Sequence, residues 1–241
     1  MGALYLVSDV HGFRDDLEQG LEQVGFGADD ELWILGDLVD RGPDGIGVVN
    51  LVRSLQEQHP GRVQVLMGNH EILALGRHRF PHSKFADSWL INGGKRRDQE
   101  GLTDEHIEWL ASLPLMAQVG DFLLMHSDTT EYLAWGNSVD EVNETVAAAL
   151  SDADDLDAHW DVWRRLTSRY DFADEDGAAV AEEMLATYGG EVIVHGHSII
   201  STLIDVPSPE VKAPLLYADE RVLDIDGGRY DGGPLLFVRV D

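Results

Sequence analysis

Five short apolar runs in this sequence each stop at a knot of Asp, His, Asn and Gly. Residues 3–8 run into Asp9-Val10-His11-Gly12, and residues 31–36 into Asp37-Leu38-Val39-Asp40-Arg41-Gly42. Residues 62–67 run into Gly68-Asn69-His70-Glu71, residues 120–125 into His126-Ser127-Asp128, and residues 191–194 into His195-Gly196-His197-Ser198. Short apolar runs bounded by turn-forming residues read as buried strands. Residues 13–24 and 45–58, between the first three runs, read as helices. This β-α-β-α-β order implies an α/β fold with a mainly parallel sheet and helices on both faces. In such sheets ligands sit outside the carboxyl ends of the strands, where these knots fall.

The rest of the chain is read more coarsely. Residues 77–101 collect Arg77, Arg79, Lys84, Lys95, Arg96 and Arg97. Residues 103–113 read as a helix capped by Thr103, with acids in its first turn. Residues 138–188 read as an acidic helical insertion beside the sheet. Strand patterns return at 191–194, 201–206, 221–226 and 235–240. No repeat or linker divides the chain, so residues 1–241 are expected to form one domain with that insertion embedded.

Composition narrows the function. With Lys+Arg 17 against Asp+Glu 45, the formal net charge is −28. That argues against general nucleic-acid binding, which needs a basic footprint, and against anionic membranes. An anionic substrate must instead be drawn by local positive charge, such as bound metal. The acidic excess reads as a solvated surface, with adaptation to high salt as the alternative. There is no cysteine, which excludes disulfides, thiolate metal sites and a Cys nucleophile. No apolar run approaches the ~18 residues of a membrane span, and residues 1–8 lack the basic start of a signal peptide. A cytoplasmic protein is expected.

Each knot alone has an ordinary explanation as a turn or cap. Their joint placement does not. Aligned along one sheet edge, oxygen and imidazole donors suit manganese, iron, zinc or cobalt. Two such ions a few Å apart can activate water for in-line displacement at phosphorus. Ser8, Ser127 and Ser198 lie near the knots without a separate Ser–His–acid pattern, so a serine nucleophile is not expected.

The motifs Asp9-Val10-His11-Gly12, Gly36-Asp37-Leu38-Val39-Asp40-Arg41-Gly42, Gly68-Asn69-His70-Glu71, the strand-end His126 and Gly196-His197-Ser198 resemble those of the calcineurin-like metallophosphoesterases. Within that superfamily the chain is most similar to the small bacterial members of the phosphoprotein-phosphatase branch. The stretch Asp226-Gly227-Gly228-Arg229-Tyr230-Asp231-Gly232-Gly233 also resembles that branch's last-strand pattern. The resemblance implies a layered sheet sandwich with flanking helices and two divalent ions, manganese first. It implies that Asp9 and His11 hold one ion, that Asp37 bridges, and that Asn69, His126 and His197 complete the other. A bridging water is the implied nucleophile and His70 the general acid. Asp40, Asp128 or another acid would orient His70. Arg41, Asn69 and Arg164 would hold substrate phosphate, with Arg165 competing with Arg164 for that face. His195 is expected behind the metals rather than on them. His126-Ser127-Asp128 departs from the family's His-Ala-Gly, and Ser8 stands where Gly is commoner.

Relatives in this branch dephosphorylate Ser, Thr or Tyr in proteins, or cleave dinucleoside polyphosphates symmetrically. Phosphomonoesters, protein-borne or small, are the first expectation, and dinucleoside polyphosphates the second. Residues 77–97 would be either ordinary surface charge or a contact for further phosphates. A metal-binding protein without turnover, recognising a partner through the helical insertion, is the reading from another class.

Overall fold

The computed structural model describes residues 2–240; Met1 and Asp241, the ends of the expected domain, lie outside the described residues. The chain runs β1 (Leu4–Val7), α1 (Arg14–Val24), β2 (Glu31–Ile34), α2 (Gly45–Gln58), β3 (Val63–Val65) and α3 (Asn69–Arg79). Three short helices follow, α4 (Lys84–Ile91), α5 (Arg96–Gly101) and α6 (Asp104–Ala111), then β4 (Met116–Val119) and β5 (Phe122–Met125). The acidic stretch forms α7 (Val139–Ser151), α8 (Leu156–Leu166) and α9 (Gly177–Tyr188). The chain closes with β6 (Val192–His195), α10 (Ile200–Leu203), β7 (Leu215–Tyr217), β8 (Val222–Asp224) and β9 (Val238–Val240).

The strands form two sheets, the layered sandwich that the resemblance implies, where strand order alone suggests one. The first has the order β3-β2-β1-β9 and the second β4-β5-β6-β8-β7. In the first, β1, β2 and β3 are parallel and β9 is antiparallel to β1. In the second, parallel β5, β6 and β8 are flanked by antiparallel β4 and β7. The strands' two-residue period explains the sandwich. Leu6, Leu124 and Val194 join Leu35, Leu66 and Ile225 in an apolar layer between the sheets. Their neighbours Val7, Leu123 and Ile193 point the other way, into the core shared with the helices. There α2 packs on β3, α7 on β4 and α9 on β6. The insertion does not stand apart, because Val142, Val146, Leu150, Val162 and Met184 belong to that core.

Two local readings fail for identifiable reasons. β4 was not expected, yet Met116 to Val119 pairs with β5 across a two-residue turn at Gly120-Asp121, with Gly120 left-handed at φ 57°. Such hairpin turns call for a residue with positive φ, and Gly120 was the available signal. Residues 201–206 were read as a strand but begin inside α10. There the chain doubles back over the strand ends, and the Ile200 amide donates to the Asp226 carbonyl. The Thr103 cap does form, accepting the His106 amide at 3.3 Å. Among the described residues no helix is long and apolar enough to cross a membrane.

Candidate metal centre and active site

The loops after β1 and β2 are built from residues that avoid the conformation they adopt. Asp9, His11, Asp37, Asp40 and Arg41 all have positive φ, between 44° and 65°. For a residue with a Cβ this costs roughly 1–2 kcal/mol each. Hydrogen bonds between the loops offset the cost: the amides of His11 and Gly12 donate to the carbonyls of Asp37 and Leu38, each at 2.8 Å. Glu71, at the start of α3, accepts the amides of Asp37, Leu38 and Gly68, each at 2.8 Å. Its carboxyl is buried, which pushes its pKa up to about 7 against the pull of those amides. Gly36 lets the layers close here, since a Cβ would lie 2.6 Å from the Gly68 nitrogen and 2.9 Å from His126 Nδ1.

Backbone carbonyls decide which imidazole nitrogens are free. His11 Nδ1 donates to the Val39 carbonyl at 2.9 Å, and His126 Nδ1 to that of Leu35 at 2.7 Å. His197 Nε2 donates to the Thr167 carbonyl at 3.2 Å. The lone pairs therefore sit on His11 Nε2, His126 Nε2 and His197 Nδ1. Asp37 divides between them: Oδ2 is 3.4 Å from His11 Nε2, and Oδ1 is 3.5 Å from His126 Nε2. Asn69 Oδ1 lies 3.1 Å from His126 Nε2, and Asp9 Oδ1 lies 3.8 Å from His11 Nε2. Donor atoms of His11, Asp37 and His70, and of Asp37, His126 and His197, gather within 4.8 Å of one another.

The charges of this cluster do not balance without cations. Burial, with Asp9 and Glu71 nearby, drives Asp37 well above the usual carboxylate range. Burial keeps His11 and His197 neutral, helped by Arg41 beside His11 and by His126 beside His197. His11 Nε2 is buried without a hydrogen-bond partner among the described residues. Unprotonated nitrogens and crowded carboxylate oxygens with no thiolate are a donor set that fits two divalent cations.

His70 stands next to both groups. Its Nδ1 meets Asp40 Oδ2 at 2.9 Å, and its Nε2 is buried with no partner among the described residues. Asp40 Oδ1 accepts from Trp89 Nε1 and the Lys95 amide, both at 3.1 Å, and burial lifts its pKa to about 6. Of the two acids named for His70, Asp40 is the one that meets its ring. Asp128 faces elsewhere, accepting from Ser198 Oγ and the Tyr170 amide. His195 bonds the Gly196 carbonyl and the Tyr217 hydroxyl through its two nitrogens, which leaves neither for a metal.

Arg41 stacks its guanidinium 4.0 Å from the centre of the Tyr230 ring and lies within 4 Å of no carboxylate among the described residues. Tyr230 in turn sets its edge against His11. Arg164 is not brought to this cluster by its contacts: it pairs with Asp161 at 3.0 Å and with Glu131 at 3.9 Å. Arg165 is taken up by the same two acids. Arg169, beyond the end of α8, adds its charge to the burial that lowers the pKa of His70, His126 and His197, as Arg41 does for His70 and His197. Nothing near it in the sequence marks that role. Asp226 was also missed, although its motif was noticed. Its Oδ2 is buried without a partner among the described residues, and burial and Asp9 push its pKa well up. Three of the six basic residues in 77–97 pair locally, Lys84 with Asp157, Arg96 with Glu100 and Arg97 with Asp44.

Known proteins share this architecture. Among curated relatives, a symmetrical bis(5'-nucleosyl)-tetraphosphatase of Vibrio parahaemolyticus is 33% identical over 134 residues, 52% of this chain and 44% of the relative. One of the same name from Proteus mirabilis is 38% identical over 120 residues, 47% of this chain and 39% of the relative. The chain thus spans less than half the length of the curated relatives it matches. The cold-active protein-tyrosine phosphatase of a psychrophilic Shewanella superposes with a TM-score of 0.74 at 21% identity, covering 100% of this chain and 76% of that one. A protein serine/threonine phosphatase of Saccharomyces cerevisiae superposes at 0.60 with 16% identity, covering 93% and 67%. At these identities the structural likeness is one of fold. The family model for calcineurin-like phosphoesterases matches residues 3–201. With that match over most of its length, the chain belongs to the calcineurin-like phosphoesterase family.

Proposed function

We propose that the protein is a dinuclear-metal phosphoesterase that hydrolyses phosphomonoesters, with phosphoserine, phosphothreonine or phosphotyrosine of proteins as the first substrate class. The observation that carries this reading is the division of Asp37, whose two oxygens face lone-pair nitrogens of two different histidines. Asp9, His11 and Asp37 would hold one ion, and Asp37, Asn69, His126 and His197 the other. When bound, the ions activate water for attack at phosphorus and neutralise charge on the phosphoryl oxygens. The all-oxygen-and-imidazole donor set makes manganese the ion to load first.

The remaining work falls to side chains. Asp40 fixes the His70 ring through Nδ1, leaving Nε2 as the position from which a proton reaches the leaving oxygen. Burial keeps His70 neutral in the free protein, with the charges of Arg41, His126 and Arg169 adding to it. A bound phosphate would offset their charge and favour the protonated ring. Arg41 offers its planar fork to a pair of phosphate oxygens. Arg169 takes the part that sequence reasoning gave to Arg164. We further read the chain as one domain that includes the helices of 138–188, since these bury into the core shared by both sheets.

A second reading is cleavage of dinucleoside polyphosphates, favoured by the name of the curated relatives. Metal-stripped protein refilled with Mn²⁺ tests both readings against p-nitrophenyl phosphate, phosphopeptides and diadenosine tetraphosphate. Mn²⁺-dependent turnover that disappears in Asp37→Asn supports the two-metal hydrolase, and the preferred substrate decides between the readings. Two bound metals with no turnover on any of these substrates would favour a binding protein.

A further inference from the structure

Residues 167–171, beyond the end of α8, are tied to the exit of β5 by a reciprocal clasp. Asp128 is buried, and its Oδ2 accepts the Tyr170 amide at 2.8 Å while its carbonyl accepts the Asp171 amide at 3.1 Å. Asp171 answers in the other direction. Its Oδ2 accepts Thr129 Oγ1 at 3.0 Å, the Thr130 amide at 2.7 Å and Thr130 Oγ1 at 2.8 Å. Asp128 Oδ1 takes Ser198 Oγ at 2.6 Å, which joins the loop after β6 to the same clasp. Tyr170 adopts the left-handed conformation, φ 72°, which a side chain disfavours. Such a conformation persists only where its surroundings over-determine it, and here its amide is bound to a buried carboxylate.

Arg169 lies in the middle of this tied segment. In a chain with Asp+Glu 45, it forms no ion pair within 4 Å among the described residues. Its guanidinium lies over the Tyr170 ring, 5.9 Å from the centroid, and its charge adds to burial in lowering the pKa of His70, His126 and His197. Thr167, at the other end of the segment, gives its carbonyl to His197. The clasp therefore spends two carboxylates on backbone and hydroxyl donors while an arginine one residue away is left without an acid.

We propose that Asp128 and Asp171 are positioning residues for the phosphate end of the substrate, acting through Arg169, whose placement beside the metal centre they fix. The proposal rests on the phosphoesterase reading. It predicts that anion affinity depends on a clasp that does not itself touch the anion.

Binding of inorganic phosphate to the Mn²⁺-loaded protein, followed by calorimetry, tests this without relying on turnover. Arg169→Gln removes one charge-assisted contact and should weaken phosphate binding about tenfold or more. Asp171→Ala should weaken it by a similar factor with manganese content unchanged. The double variant should bind no more weakly than Arg169→Gln alone, because both changes remove the same interaction. Asp128→Asn should behave like Asp171→Ala; should it fail to fold, the more exposed Asp171 carries the test. For p-nitrophenyl phosphate, KM should rise while kcat changes by less than about threefold, as expected when binding is lost without loss of chemistry. Unchanged phosphate affinity in Asp171→Ala, or losses that add in the double variant, would overturn the positioning role. Failure of the wild-type protein, with two manganese ions bound, to bind phosphate would overturn the phosphoesterase reading itself, and this inference with it.

Discussion

The two sheets bring unlike halves to one centre. The half contributed by the first sheet, Asp9, His11, Asp37, Asp40, Arg41 and His70, is held by backbone geometry. Its loops are left-handed at residue after residue and zipped to each other by amides and carbonyls. The half contributed by the second sheet, His126 and His197 with the arginine segment 167–171, is held by side chains that reach far along the chain. Asp128 meets Tyr170, Asp171 meets Thr130, and Asp9 Oδ2 accepts the His197 amide at 2.9 Å. A half written into loops tolerates little variation in sequence, because each unusual φ needs its local partners. A half held by distant side chains can relocate an arginine and keep the fold.

The largest effect expected from breaking this arrangement comes at the residue both halves share. Asp37→Asn removes the charge that faces His11 and His126 together, and hydrolysis should fall to the uncatalysed background with at most one Mn²⁺ retained, read by metal analysis and turnover. A smaller loss sharpens the contrast within the first half. His70→Asn should lower kcat by ~10²–10⁴-fold while both metals stay, since general acid catalysis is worth about that much. Full activity in that variant would remove His70 from the chemistry.

The next comparison sets two arginines of one chain segment against each other. Arg169→Ala should raise KM about tenfold or more, whereas Arg164→Ala, which loses half-exposed pairs with Asp161 and Glu131, should change it less than about twofold. Equal effects would return the phosphate role to α8. The smallest effect concerns stability. The folded Glu71 carboxyl has its pKa raised from the ordinary 4.5 to about 7 by burial. An acid shifted upward supports the fold when protonated, and that support is lost as pH rises from the unfolded to the folded value. In metal-free protein, Glu71→Gln should therefore cost most near pH 5 and progressively less toward about pH 7.5. Its cost near pH 5 should be of order 1–3 kcal/mol, because the amide group replaces an acceptor of three buried amides. A gap in melting temperature that widens with pH would contradict the upward shift.

The same contrast governs what could be read from the sequence. Asp9, His11, Asp37, Asp40, Arg41, Asn69 and His70 were legible because backbone-held loops need contiguous motifs. His126 and His197 were legible because each ends an apolar run. The segment that carries Arg169 was not, since it is tied down by Asp128 and Asp171, which lie at a distance from each other along the chain. Arg164 follows a tryptophan, Trp163, as the resemblance asks, and in the fold it pairs with Asp161 and Glu131. The division into two sheets was missed from strand order alone for a related reason. Parallel strands with helical crossovers look the same whether they join one sheet or two, and only the inward leucines distinguish the cases. β4 and β7 went unread because edge strands of 4 and 3 residues are too short to show a period.

His126 follows β5 of the second sheet, yet its ring is aimed by the carbonyl of Leu35, which follows β2 of the first. The hydrogen bond that selects its free nitrogen thus spans the seam between the layers, beside Gly36, where no side chain could fill a gap. The centre consequently works as a gauge of how the layers sit on each other. A slip of one sheet by a fraction of an ångström would turn the imidazole while leaving every strand and helix in place. Warming should accordingly silence the protein before it melts it, with heat-inactivated molecules that still look folded to a spectrometer.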